Sequence, residues 1–386
     1  MGHVPTALRV RKGASRATRP ATAAQELFDA IHQPDAALYV LYCAPGYDLR
    51  ELGRAIAERF GDAPVIGCTT AGEITPFGYL DGSLTGVSLA GEVCAASTRI
   101  DDLRRFQFAR GSHAAKSVMN ELTTDTRPSG ADSFGFLLAD GLAMQEEALV
   151  ASVYRNLGDI QLIGGSAGDG TAFGRTYIYH QGEFRSDCAV FTLLRTSVPF
   201  VVFKTQHFVP SSEKLVVTSA DPERRLVHEI NGEPAALEYA RVVGVAREAL
   251  TPIVFASHPV VLRVGGTFYL RSIQRVNADD SLMFFCAVDD GIVFTVGRAV
   301  DLVENLAEAF GDVHKQIGVP ALTLGCDCIL RRVEILESGL SEPVSQLMVA
   351  NNVIGFATYG EQLNGMHVNQ TFTGVALGSA RRARGG

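Results

Sequence analysis

The residues with the most chemical promise sit near the end of the chain, in the stretch Gly355 to Thr373, GFATYGEQLNGMHVNQTFT. It reads as an apolar strand, a glycine-acid turn at Gly360-Glu361, and a second strand of alternating character. Side chains two apart on a strand share a face, so His367, Asn369, Thr371 and Thr373 form a polar side and Met366, Val368 and Phe372 an apolar one. Two readings of His367 follow. Spacing alone favours an exposed edge with a solvated imidazole; the other reading is a pocket wall offering a ring nitrogen to a ligand or metal.

Two glycine-rich turns add a second set of polar groups: Gly67-Cys68-Thr69-Thr70-Ala71-Gly72-Glu73 and Gly164-Gly165-Ser166-Ala167-Gly168-Asp169. A phosphate cradle requires such a loop to open a helix. Here Phe173 to Tyr179 reads as strand, and Thr75-Pro76 follows Glu73, which argues against nucleotide cradles of that kind. The amides of such turns can still hold a carboxylate or another small polar ligand. The plain alternative is two tight turns at strand ends.

Other candidates carry less. Cys326 and Cys328 share one strand face, but a structural zinc needs four ligands and no second pair lies close in sequence. Cys68 or Cys326 as the nucleophile of an enzyme is the last of the alternatives, since no triad spacing accompanies either. His180, His207, His228, His258 and His314 show no mutual ligand spacing. A haem needs one strong axial ligand, an apolar slot and cations for its propionates, so spacing does not exclude it, and Arg263, Arg271 and Arg298 lie near suitable strands.

The elements that must position these groups follow from periodicity. Ala36 to Cys43 is a nearly all-apolar strand. Leu49, Leu52, Ile56 and Phe60 mark a helix capped by Asp48 and ended by Gly61, and a second apolar run leads into the first turn. The same strand, helix, strand and turn return at Phe134 to Ala139, Leu149 to Leu157 and Leu162 to Asp169. The N-terminal half therefore reads as a duplicated βαβ unit. Arg175 to His180 and Ala189 to Leu194 read as antiparallel partners around Gln181-Gly182-Glu183. Later come strands at Val260 to Val264, Thr267 to Ile273 and Leu282 to Cys286, a helix with Val303, Leu306 and Phe310, a strand at Ala321 to Leu330, and a helix with Val344, Leu347 and Met348.

Length and composition set the frame. A chain of 386 residues with 47% hydrophobic and 20% charged residues suits two globular domains. The expected fold class is α/β: two mixed α/β domains at 24–222 and 223–378, flanked by a flexible basic tail at 1–23 and a short tail at 379–386. A net charge of -8 argues against nucleic acid as a partner. No run approaches the ~18 apolar residues of a membrane helix. The odd count of seven cysteines fits reduced thiols, and the expected location is cytoplasmic.

With these residues assembled, the chain resembles the FIST family of sensory proteins. VIGCTTAGEI at Val65 to Ile74 with Gly78-Tyr79 is similar to its N-domain signature, and GFATYGEQ with NQT at Asn369 to Thr371 is similar to its C-domain signature. The fuller string YGEQLNGMHVNQTFTGVAL resembles the NosP branch of nitric-oxide-sensing haemoproteins. That resemblance implies haem b, nitric oxide as the ligand, and regulation of a separate histidine kinase or cyclic-di-GMP enzyme. It implies a binding protein and not an enzyme, with a homo-oligomer possible. Under it, His367 is the iron ligand, with Gly360, Glu361, Asn369 and Thr371 beside it. Under the broader family reading, Gly67, Thr69, Thr70, Gly72, Glu73, Gly165, Ser166 and Asp169 line a pocket for an amino acid or similar metabolite.

Overall fold

The computed structural model describes residues 7–124 and 132–379. Three mixed sheets of six strands each share one plan. A parallel pair sits at the centre of each: Ala36–Cys43 with Val65–Thr69, Asp132–Ala139 with Gln161–Ser166, and Leu322–Cys328 with Val353–Thr358. On one side lies an antiparallel strand (Leu84–Ala90, Cys188–Thr196, Phe372–Leu377) and then an edge strand (Arg9–Ser15, Val93–Asp101, Phe200–Thr205).

The other side of each sheet is a short hairpin supplied by a different part of the chain. Glu73–Thr75 and Gly78–Leu80 leave the first sheet for the third. Ile178–His180 and Glu183–Arg185 leave the second for the first, and Glu361–Leu363 and Met366–Val368 leave the third for the second. The hand-over of hairpins runs in a ring. The duplication legible in sequence is thus a triplication, whose third copy is VIGFATYGEQ at Val353 to Gln362.

Alternation explains how three sheets share a core. Leu38, Val40 and Tyr42 of the first sheet, Phe134, Phe136 and Leu138 of the second, and Leu322, Leu324 and Cys326 of the third all point into one buried cluster. Tyr42 stacks on Phe356 across it, with ring centroids 4.7 Å apart. The intervening side chains, such as Tyr39 and Leu41 or Leu137 and Ala139, pack beneath the covering helices. One of these, Leu49–Phe60, starts on Asp48, whose side chain accepts from the Arg50 and Glu51 amides, and stops at Gly61 with φ +56°.

The third repeat carries an insertion. Between the strand Phe200–Thr205 and the helix Leu302–Ile317 lies an eight-stranded sheet formed by residues 208–299, with the helices Ala235–Val243 and Pro252–Ser257. Its apolar cluster, including Leu215, Val227, Tyr239, Phe255, Phe284 and Phe294, draws only on its own residues. The two bodies, three-sheet ring and inserted sheet, are each mixed α/β. A single cut near residue 222 falls in the first hairpin of the insertion, while residues 302–377 return to the ring.

Several local expectations are revised. Part of the expected basic tail is ordered: Arg9–Ser15 is an edge strand and Pro20–Ile31 a helix. Arg9 and Arg11 face outward on that strand, bonding Asp35 and the His32 carbonyl, as charged residues do on sheet edges. The C-terminal residues 380–386 lie outside the described residues. Cys188–Thr196 does not pair with Ile178–His180; it belongs to the second sheet, because Gln181 and Gly182, both with positive φ, turn the chain back into Glu183–Arg185. The strand read to Leu330 ends at Cys328 and a helix, Ile329–Glu337, begins at once. The expected single strand from His367 to Thr373 is two strands in different sheets, broken where Gln370 takes φ +47°.

Candidate functional site

The three glycine turns meet at a hub. Gly168 N–H donates to the Thr69 carbonyl (3.1 Å) and Gly170 N–H to Thr70 (3.2 Å). Ala71 N–H donates to the Ala357 carbonyl (2.9 Å), and Ala357 N–H donates to the Gly72 carbonyl (2.7 Å). Ser166 N–H reaches Gly360 (2.9 Å), and Tyr359 N–H reaches Ser166 (3.1 Å). The first pocket set is therefore brought together, and its polar side chains bond within the hub. Thr69 Oγ1 accepts from Tyr177 N–H (3.0 Å), Ser166 Oγ from Gln362 Nε2 (2.9 Å), and Asp169 from Tyr359 Oη and the Gly174 and Arg175 amides.

Two carboxylates repeat the same clamp. Glu73 accepts from Thr70 Oγ1 and from Ser83 N–H (3.0 Å) and Oγ (2.7 Å). Glu361 accepts from Thr358 Oγ1 and from Thr371 N–H (3.1 Å) and Oγ1 (2.7 Å). Each ties the start of a departing hairpin to the strand that returns from it. Burial raises both carboxyls, against the hydrogen bonds, and pushes Glu361 up to about 8. Glu361 and Thr371 thus spend their polar atoms on each other.

Beside the hub lies a second set with a different character. His367, 3% exposed, sits on the third hairpin opposite Gln362, and neither of its ring nitrogens has a hydrogen-bond partner. The exposed-edge reading is corrected: hairpin transfer to the second sheet turns this strand inward. Asn369 is fully buried with both amide atoms unpartnered, and Glu146 Oε1 and Gln362 Oε1 are also without partners. Gly360 is required here twice over. Its φ is +149°, and a Cβ would fall 2.2 Å from His367 Cε1 and 3.1 Å from Asn369 Nδ2.

Charged groups surround the imidazole. Glu146 and Glu147 begin the helix Glu146–Tyr154, and Arg225 reaches them from the inserted sheet, bonding Glu146, Glu147 (2.8 Å) and the Phe285 carbonyl (2.6 Å). Burial lowers the His367 imidazole; Glu147 and Glu146 oppose that, while Arg225 and Arg271 add to it, leaving the ring neutral near pH 7. Burial alone would raise Glu147, but Arg225, His367 and the Ala287 amide bring it below its ordinary value. The adjoining Gln370 joins the two bodies, accepting from Ser272 Oγ (3.0 Å) and donating to the Ala256 carbonyl (2.6 Å).

Of the residues gathered here, the sequence pattern points to His367 and Asn369 and gives no signal for Glu146, Glu147 or Arg225. A Glu-Glu pair opening a helix was visible, yet nothing in spacing tied it to an arginine far along the chain. Cys68 and Cys326 are buried, and burial pushes both thiols well above their ordinary value, which leaves little thiolate for nucleophilic chemistry. Among the described residues no group of three or more His, Cys, Asp or Glu is placed to hold a metal ion. No helix among them is long and apolar enough to cross a membrane.

Two family models match the chain: the FIST N domain over residues 37–233 and the FIST C domain over residues 235–364. A curated relative, the uncharacterized protein MJ1623 of Methanocaldococcus jannaschii, is 22% identical over 353 residues, covering 81% of this chain and 67% of its own length.

Proposed function

We propose a ligand site for this chain, which belongs to the FIST family of signalling sensor domains that bind small ligands. The site is the buried junction of His367, Asn369 and Glu146, and the ligand is a small zwitterion of the amino-acid class. The observation carrying this reading is the set of unpartnered polar atoms there: both imidazole nitrogens, both ends of the Asn369 amide and Glu146 Oε1. Buried polar atoms are nearly always paired, so a cluster of orphans marks a place that a hydrogen-bonding guest completes. Donors and acceptors both occur in the set. A guest with an ammonium for Glu146 Oε1, Asn369 Oδ1 and the unprotonated imidazole nitrogen, and a carboxylate for Asn369 Nδ2 and the imidazole N–H, satisfies all of it. Arg225 and Arg271 add positive potential, Glu146 and Glu147 negative potential, which suits a guest carrying both signs.

Haem b with His367 on the iron, and nitric oxide as the signal, is the second reading. The bare imidazole favours it. The surroundings are not the apolar slot a porphyrin needs: Glu146 and Glu147 act on the ring electrostatically, and Gly360 closes on its Cε1–Nε2 edge. In either reading the output passes to a separate protein, for which a histidine kinase or cyclic-di-GMP enzyme is the proposed class.

Calorimetric titration of the purified chain with the proteinogenic amino acids tests the first reading. Binding that is lost in both His367→Ala and Asn369→Ala is expected; saturable binding unaffected by either variant refutes the site. An absorption spectrum with a Soret band that shifts on adding nitric oxide, and disappears in His367→Ala, would replace the first reading with the second.

A further inference from the structure

We infer that the inserted sheet, residues 208–299, is a hinged cover over the His367 junction, held shut by Arg225 as its latch. This rests on the ligand reading only in naming what the cover encloses. Four observations converge on it. First, the imidazole is 3% exposed and Asn369 fully buried, so a guest reaches them only if something moves. Second, the insertion has its own apolar core, so it can shift as a body without unpacking.

Third, the insertion meets the ring through a narrow neck. The chain leaves at Thr205 and returns at Leu302, and Phe208 and Ala299 are register partners just inside. Val300 N–H donates to the His207 carbonyl at 2.7 Å. The neck is pinned from the ring side: Arg331 Nη1 donates to His207 Nδ1 (2.8 Å) and His207 Nε2 to Glu334 (2.9 Å). Two antiparallel strands fixed at their base form a pivot.

Fourth, the insertion closes on the ring beside His367 through a set of polar contacts. They are Arg225 on Glu146 and Glu147, the Ala287 amide on Glu147 Oε1 (2.9 Å), and the pair of Gln370 bonds. An apolar part accompanies them: Ala256 and Phe285 pack against Cys328, Ile329, Leu330 and Tyr359, and the Phe285 ring also lies 5.8 Å from that of Phe173. The polar contacts exchange protein bonds for water bonds on opening, which leaves the packing at Ala256 and Phe285 as the apolar contact that opening must break. Arg225 is the one insertion side chain that bonds both carboxylates beside His367, which makes it the latch. A guest whose charges compete for Glu146 and Glu147 couples occupancy to the position of the cover.

Spin labels at Arg155→Cys on the ring and Glu223→Cys or Glu248→Cys on the insertion, in a Cys94→Ser background, measure the separation by pulsed electron resonance. Arg155, Glu223 and Glu248 are exposed, Cys94 is partly exposed, and the other six cysteines are buried. In Arg225→Gln, the ratio of the longer-distance to the shorter-distance population is expected to rise about tenfold from that of a ~0.1–10% minor state. Glu147→Gln, with its side chain 36% exposed, tests the same latch if Arg225→Gln does not fold. Distributions identical to wild type in every folded variant overturn the cover. Because the readout needs no ligand, an opening cover with no amino-acid binding removes only the ligand reading, and binding under a rigid insertion removes only the cover.

Discussion

Replacing Gly164 with alanine is expected to destabilise the protein by about 2–5 kcal/mol, and the equivalent changes at Gly67 and Gly355 by similar amounts. These glycines occupy one position in the three repeats. An added Cβ would lie 2.0 Å from the Leu137 carbonyl oxygen at Gly164, 2.0 Å from that of Gly325 at Gly355, and 2.4 Å from that of Leu41 at Gly67. In each case that residue is the register partner on the adjacent parallel strand. Carbon and oxygen rest at ~3.3–3.6 Å, so the two strands must part by roughly 1 Å in a ladder spaced at ~4.8 Å. Overpacking of this kind costs about 1–3 kcal/mol, and each weakened ladder bond adds about 0.5–1.5. Gly311, in the helix Leu302–Ile317, has open space at its Cβ, so Gly311→Ala is expected to stabilise by about 1 kcal/mol. Urea unfolding with an unchanged slope reads all four. A Gly164→Ala protein as stable as wild type would show that the central parallel pairs do not approach as described.

Glu361 gives a pH dependence of definite sign. Its carboxyl is raised from 4.5 to about 8, so between those values the folded state holds a proton that the unfolded state has released. Its contribution to stability is full below pH 4.5 and is lost as pH climbs to about 8; Glu361→Gln should flatten that slope, and parallel profiles for the two proteins would contradict it. Arg225→Gln is expected to cost about 3–5 kcal/mol by stranding the buried Glu146, and adding Glu146→Gln should recover most of it; strict additivity in the double variant would mean the pair is not coupled. Asn369→Ala should abolish the rise in melting temperature that a saturating amino acid gives the wild type, while Asn231→Ala, in the insertion away from the junction, keeps it.

The parts of the fold legible in sequence are those written as local pattern. The strand Ala36–Cys43, the helix from Asp48 to Gly61 and the two N-terminal turns all follow from apolar runs, a cap and glycine. The third repeat escaped recognition for two reasons. Its copy carries Phe356 and Tyr359 where the first has Cys68 and Ala71, and the insertion separates its strands from its edge. The helix Ile329–Glu337 was hidden because Ile329 and Leu330 continue the apolar run of the strand before it. His367 was read as exposed because a polar face on a strand normally meets water. Here the hairpin is transferred to another sheet, and no local pattern encodes that transfer.

The same transfer explains where a site can arise. At the hub the three repeats meet on near-equivalent terms, and the polar groups there satisfy one another, so hub positions hold the ring together. A guest needs groups that the repeat does not satisfy, and these occur where the repeats differ. The first hairpin turns through Pro76 and Phe77, and the second through Gln181 and Gly182. The third is followed by Asn369 and Gln370 and carries His367, and it alone lies against the inserted sheet, with Gln370 bonded to Ser272 and Ala256. An imidazole and an amide left unpaired inside a folded protein each cost about 1–3 kcal/mol. On the ligand and cover proposals, their joint presence at a junction with a separately cored neighbour on a two-strand neck places recognition and movement at the same boundary, with the ring as the fixed half and the insertion as the half that responds.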